Sequence, residues 1–266
     1  MMKEAAKAGR TGFPGSPILT IRMPPRPRLW TWAGLCLLAC TRPDWCIPLA
    51  EFKWFGHNCF RIKSRDATII TDPVERSTGF AMARQTANIV TISAYDSQNA
   101  NTNVVRPEFQ IVDGPGEYEM DNIFVTGVRT LLDPARTEQK KFNTAYLFEL
   151  EGFVICHLGD LGQVPTTERL EQLSQADILL IPIGGATGLS QEQAAEVVSQ
   201  LEPKVLIPMQ YRTEIGDRDL LPLDTFAKLI GVEIPEAVDK YAPRQADLKD
   251  AMELVVLTPD SEAVKR

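Results

Sequence analysis

The run Ala145-Tyr146-Leu147-Phe148-Glu149-Leu150-Glu151-Gly152-Phe153-Val154-Ile155-Cys156-His157-Leu158-Gly159-Asp160 decides the fold. Two apolar segments, residues 145–150 and 153–157, are separated only by Glu151-Gly152, and the glycine can take the positive φ that a two-residue hairpin turn requires. Immediately downstream the period of the hydrophobic pattern changes. Leu170 and Leu173 share one face of a short helix starting near Thr166. Residues 178–183 are continuously apolar, as expected of a strand covered on both faces. Ser190 and Gln193 have the spacing of a capping box. Ala194, Val197, Val198 and Leu201 then follow the i, i+3, i+4, i+7 rule of a buried helix face. Residues 205–208 make the next strand. Pro222 opens a further helix with Leu223, Phe226, Ala227 and Ile230 on one face and Gly231 at its end. Residues 253–258 read as a closing strand.

Upstream of the hairpin the pattern is short strands and tight turns. Residues 51–55 and 59–63 flank Gly56-His57-Asn58, and 68–71, 88–92, 109–113 and 123–127 continue the series. Strands following one another in this way predict an antiparallel sheet. Strands first, then strand–helix alternation, imply an α/β sandwich whose sheets are covered by helices. No repeat or low-complexity stretch interrupts residues 51–258, so a single domain suffices.

The 266-residue chain carries a net charge of −7, which argues against a nucleic-acid or anionic-membrane partner. The average conceals a boundary. Residues 1–49 hold seven basic side chains against Glu4 and Asp44, together with three of the five cysteines and three of the four tryptophans. A segment so different in composition was not selected as part of the same core. Within it, Arg26 and Arg28 precede the apolar run 29–40, and residues 23–40 resemble a lipoprotein signal. The other reading is that residues 1–49 are an unstructured or spurious extension. The run of about 12 residues falls short of the roughly 20 that span a bilayer as a helix. Cys59 and Cys156 lie in strand-like apolar settings, consistent with a reducing, cytoplasmic compartment, with lipoprotein-like export as the alternative.

Only two histidines exist, His57 and His157, and that governs any mechanism. His157 and Asp160, three residues apart just past a strand, can turn toward one point at a sheet edge. They could then serve as metal ligands or an acid–base pair, or simply hydrogen-bond to close a turn. Gly184-Gly185-Ala186-Thr187-Gly188 lacks the Lys-Ser/Thr of a phosphate loop and precedes a capped helix.

Six motifs in order carry a resemblance: Gly56-His57-Asn58-Cys59-Phe60, Asp72-Pro73, Gly114-Pro115-Gly116-Glu117-Tyr118-Glu119, His157-Leu158-Gly159-Asp160, Ile181-Pro182-Ile183-Gly184-Gly185 and Ile207-Pro208-Met209-Gln210-Tyr211. Over residues 51 to about 259 the chain resembles the metallo-β-lactamase superfamily, in the branch of ascorbate-phosphate lactonase and zinc-dependent hydrolases. The resemblance implies a single-domain αββα sandwich over residues 50–259, with a tail at 260–266. It also implies a two-metal centre at the sandwich rim, where metal-bound water becomes the nucleophile because the cations lower its pKa to about 7.

Carried over by position, the superfamily's H-x-H-x-D-H motif should follow Ile92-Ser93, where this chain has Ala94-Tyr95-Asp96-Ser97-Gln98-Asn99. Ala94 stands for the first His, Asp96 for the second, Gln98 for the Asp and Asn99 for the last, and Gln210 stands for the final His. Ala94 has no donor atom, and neutral amide oxygens are poor zinc ligands beside imidazole or carboxylate. The expectation is therefore that no metal binds, the alternative being one zinc or manganese ion held by Asp96, His157 and Asp160, which would also be the catalytic set. His57, Asp72, Asn99 and Gln210 would line the pocket or support its ligands. Three functions remain open: a non-catalytic protein binding a small ligand or a protein partner, a hydrolase of a lactone or phosphorylated small molecule through the reduced site, and an interaction scaffold. Enzyme or not, the sequence leaves a homo-oligomer open and contains no transmembrane segment.

Overall fold

The computed structural model describes residues 50–95, 100–132, 142–185, 188–216, 218–260 and the backbone of 262–263. The elements in chain order are β1 (Glu51–Gly56), β2 (Cys59–Lys63), β3 (Thr68–Thr71), β4 (Phe80–Ala81), β5 (Ile89–Thr91), β6 (Gln110–Val112), β7 (Gly116–Met120), β8 (Ile123–Leu131), β9 (Phe142–Leu150) and β10 (Phe153–His157). They continue with α1 (Thr167–Leu173), β11 (Ile178–Pro182), α2 (Gln191–Leu201), β12 (Val205–Met209), α3 (Leu223–Ile230), β13 (Glu253–Leu254) and β14 (Glu262–Ala263).

One sheet has the order β1-β2-β3-β5-β6 and the other β13-β12-β11-β10-β9-β8-β7, while β14 pairs with β4 apart from both. The inner faces meet in one apolar core. Phe52, Trp54, Phe60, Ile62, Ile69 and Ile89 of the first sheet join Tyr146, Phe148, Phe153, Ile155 and Leu180 of the second. Strand alternation sends Phe55, Cys59, Ile70 and Val90 to the opposite face of the first sheet. There they form a smaller core with Val74, Phe80, Met82, Ala87 and Val105. In the described residues that outer layer consists of 3₁₀ turns, loop and the short β4–β14 pair, and the three helices belong to the second sheet. The two-sheet α/β sandwich is the one the sequence implied, although among the described residues helices cover only the second sheet.

Local chemistry explains the key elements. Glu151 and Gly152 both take positive φ, 52° and 81°, as a two-residue hairpin between β9 and β10 demands. Ser190 and Gln193 make both bonds of the capping box at the start of α2, whose Ala194, Val197, Val198 and Leu201 are buried. β11 and β12 are buried at every position and pair in parallel.

Two expectations need correction. The first half of the chain is not one antiparallel sheet: β3, β5 and β6 pair in parallel, and β7 to β10 cross to the second sheet. Among the described residues the parallel crossovers contain no α-helix, so they carry no helical period there. The closing strand is also shorter than 253–258. Only Glu253–Leu254 pair with β12, after which the chain bridges to Val238 at Leu257 and to Trp54 at Pro259.

Candidate functional site

The parallel strands of both sheets present their carboxyl ends to one edge, where open α/β sheets collect ligands. His57 lies in the β1–β2 turn, Asp72 follows β3, Ser93 and Ala94 follow β5, His157 ends β10, Asp160 lies three residues beyond, and Gln210 follows β12. His57, Asp72 and Gln210 hold φ of 50°, 39° and 53°, conformations costly for side chains with a Cβ. Each reverses the chain directly at a strand end and aims a polar side chain at the shared edge.

Two linked groups result. In the first, the Gln210 amide nitrogen donates to Asp160 Oδ1 at 3.0 Å and lies 3.1 Å from His57 Nε2. Its two N–H bonds thus point at a carboxylate and a ring nitrogen, an arrangement in which Nε2 of His57 accepts. Turning the amide over would set its oxygen against the Asp160 carboxylate, so the network fixes the orientation. In the second, His157 Nε2 lies 2.9 Å from the Asn58 carbonyl and Nδ1 lies 3.9 Å from Asp72 Oδ2. A carbonyl only accepts, so Nε2 carries the proton. Burial pushes the His157 pKa down to about 4, against the smaller opposing effect of the Asn58 bond. The ring is therefore neutral at pH 7, and its approach to Asp72 is not an ion pair. The Asn58 carbonyl also accepts from Thr71 Oγ1, tying the His57 turn to β3.

The floor beneath these groups was not legible as a site. Asp72 Oδ1 accepts from the Ser93 N–H at 2.7 Å, Thr144 N donates to Ser93 O, and Tyr146 Oη reaches the carbonyls of Ile92 at 2.9 Å and Val112 at 3.1 Å. Burial pushes the Tyr146 phenol well above its ordinary range, so it remains a donor. Asn143 accepts the Asp160 N–H at Oδ1 and donates through Nδ2 to Leu158 O and Thr130 Oγ1. Gly159, at φ 61°, lies against Ser93 and Asn143: a Cβ there would come within 2.3 Å of Ser93 Oγ. Asp72, His157 and Asp160 are wholly buried, and His57 and Gln210 nearly so. The structure thus brings together five of the seven residues singled out from sequence. Asp96 and Asn99 lie outside the described residues.

Residues 51–210 match the family model of the β-lactamase superfamily domain. The chain belongs to that superfamily. A proposed Zn-dependent hydrolase of the metallo-β-lactamase superfamily from Thermotoga maritima is similar at 33% identity, covering 78% of this chain and 98% of its own, with a TM-score of 0.65. A UPF0173 protein of Pyrococcus abyssi is 28% identical over 182 residues, 62% of this chain and 85% of that protein. A UPF0173 metal-dependent hydrolase of Pyrobaculum calidifontis is 23% identical over 190 residues, 61% of this chain and 84% of that protein.

The superfamily's two-metal centre can be tested on the donors present. Ala94, buried where the first imidazole would be, offers no lone pair. At the last ligand position Gln210 points N–H bonds, not lone pairs, at Asp160 and His57. His157 holds its Nε2 proton on a backbone carbonyl. Among the described residues no three His, Cys, Asp or Glu side chains lie close enough to share an ion. These residues do not fit a two-metal centre.

Proposed function

We propose that this superfamily member is non-hydrolytic and that its strand-end polar cluster is the floor of a binding site for a small ligand or a protein partner. The observation that carries the reading is the Gln210 amide, whose hydrogens occupy the direction from which a cation would approach Asp160 and His57. An amide proton and a metal ion cannot share one lone pair, so the hydrogen-bonded node replaces the metal node. The other residues do what a binding floor needs. Asp72, Asn143 and Tyr146 fix the strand ends, and the neutral His157 adds no charge to a dry interior where an unpaired one would be costly. Buried thiols at Cys59 and Cys156 support a reducing, cytoplasmic setting. Among the described residues, no helix is long and apolar enough to cross a membrane.

Elemental analysis of protein purified from zinc- and manganese-supplemented medium tests the reading. The expected content is far below one ion per chain. Two tightly held ions would overturn it, because too few imidazole or carboxylate groups are available for them. A single ion lost in His157→Ala would overturn it in favour of a reduced hydrolytic site at Asp96, His157 and Asp160.

A further inference from the structure

On the outer face of the first sheet, β2 continues past the small second core as Arg61 and Lys63, with Thr68 of β3 directly across from Lys63. The neighbouring loop brings more donors to the same place. Gln85 pairs with Val105 in an isolated parallel bridge, fastened by Gln85 N to Val104 O at 2.9 Å and Arg106 N to Gln85 O at 2.8 Å. That short ladder sets Arg84, Thr86 and Arg106 beside β2. Together these residues line a groove of about 330 Å³ containing four cationic side chains and no carboxylate.

The charge arrangement is unusual for this molecule. The chain carries net −7, yet here four like charges share one small depression. Only Arg61 is neutralised, by Glu51 at 3.1 Å; among the described residues Lys63, Arg84 and Arg106 make no ion pair. Arg61 is also oriented by Gln85 Oε1 at 3.3 Å, and Arg84 is steadied by the Asn103 carbonyl. Like charges held together by a backbone ladder repel one another, and that cost is offset when an anion binds among them. Guanidinium forks match the geometry of phosphate oxygens, and the Thr68 and Thr86 hydroxyls supply neutral donors.

We propose that this groove binds a compact polyanion, a small molecule carrying two or more phosphate groups. Its volume sits at the lower end of small-molecule pockets, roughly 300–1,000 Å³, which suits a pyrophosphate-sized group. A long nucleic acid fits poorly: beyond the groove its phosphates would meet the acidic remainder of the protein. The site lies toward the far end of β2 from the His57 turn, so it is independent of the binding-floor reading.

Calorimetric titration of the full chain with inorganic pyrophosphate, at fixed ionic strength, is the direct test. Saturable binding at one site per chain is expected, weakening as salt is raised. The exposed pair Arg84→Ser with Arg106→Ser should weaken it by about tenfold or more, since two guanidinium forks facing the anion are removed. Lys228→Ala, an exposed cation on α3, should leave it unchanged. Circular dichroism of the double variant verifies that it is folded. No saturable binding, an equal loss in Lys228→Ala, or an affinity for single-stranded oligonucleotide exceeding that for pyrophosphate would each overturn the proposal.

Discussion

Replacing His157 by glutamine should flatten the dependence of stability on pH between 7 and 5. In the folded protein, burial holds this ring down to about 4, whereas an unfolded imidazole titrates near 6.5. Between those values the unfolded chain binds a proton that the folded chain refuses. Stability therefore rises with pH across the window and falls as the pH drops through it. The full difference corresponds to about 3 kcal/mol, and about 2 kcal/mol of that is lost between pH 7 and pH 5. The ring is wholly buried, so solvent screening does not reduce the figure. Other ionisable groups titrate in both proteins and cancel in the comparison. The substituted amide could keep a donor toward the Asn58 carbonyl, limiting the damage from the substitution itself. Urea unfolding of both proteins at pH 7, 6 and 5 gives the two slopes. Imidazole NMR gives the ring directly, with only His57 as the other signal. Equal slopes in the two proteins, or a His157 midpoint near 6.5, would refute the reasoning.

Gln210→Leu removes the donor shared by Asp160 and His57 and should cost about 1–3 kcal/mol in urea unfolding at pH 7. Gly159→Ala places a Cβ against Ser93 and Asn143 at a left-handed φ and should cost at least about 3 kcal/mol, read as a lowered melting temperature. Ser190→Ala breaks the capping box of α2 and should cost about 1 kcal/mol. A chain beginning at Leu49 should melt within about 8 °C of the full chain, as the separate composition of residues 1–49 leads one to expect; a larger fall would make residues 1–49 structural.

What the sequence disclosed and what it hid have physical reasons. The β9–β10 hairpin, the α2 cap and the buried strands β11 and β12 were legible because each rests on local chemistry or a strong periodic pattern. β7 was missed: its Gly-Glu-Tyr-Glu-Met stretch is a short edge strand, largely exposed, with only the half-buried Tyr118 and Met120 packed against the core to betray it. The division of the first half between two sheets was hidden because the change of sheet falls in the three-residue link between β6 and β7, where no local pattern marks it. At the site, positional likeness found His57, Asp72, His157, Asp160 and Gln210. It could not find Asn143, Thr144 or Tyr146, which look like ordinary residues of a long strand: Thr144 and Tyr146 acquire their roles by reaching across to the other sheet, and Asn143 by bonding the turn after β10.

The anchoring of Ser93 has a consequence for how this chain could change over time. Among the described residues, the stem from which the 94–99 segment departs is held from outside that segment: Asp72 grips the Ser93 N–H, Thr144 its carbonyl, and Tyr146 the carbonyl before it. Tyr95 turns its hydroxyl outward to Asp113. The stem's hold on the sandwich therefore does not depend on the identity of Tyr95, and selection on catalysis could lapse there without selection on folding noticing. The same independence makes the stem an attachment point at which different loops can be exchanged while the β-sheets beneath are left alone.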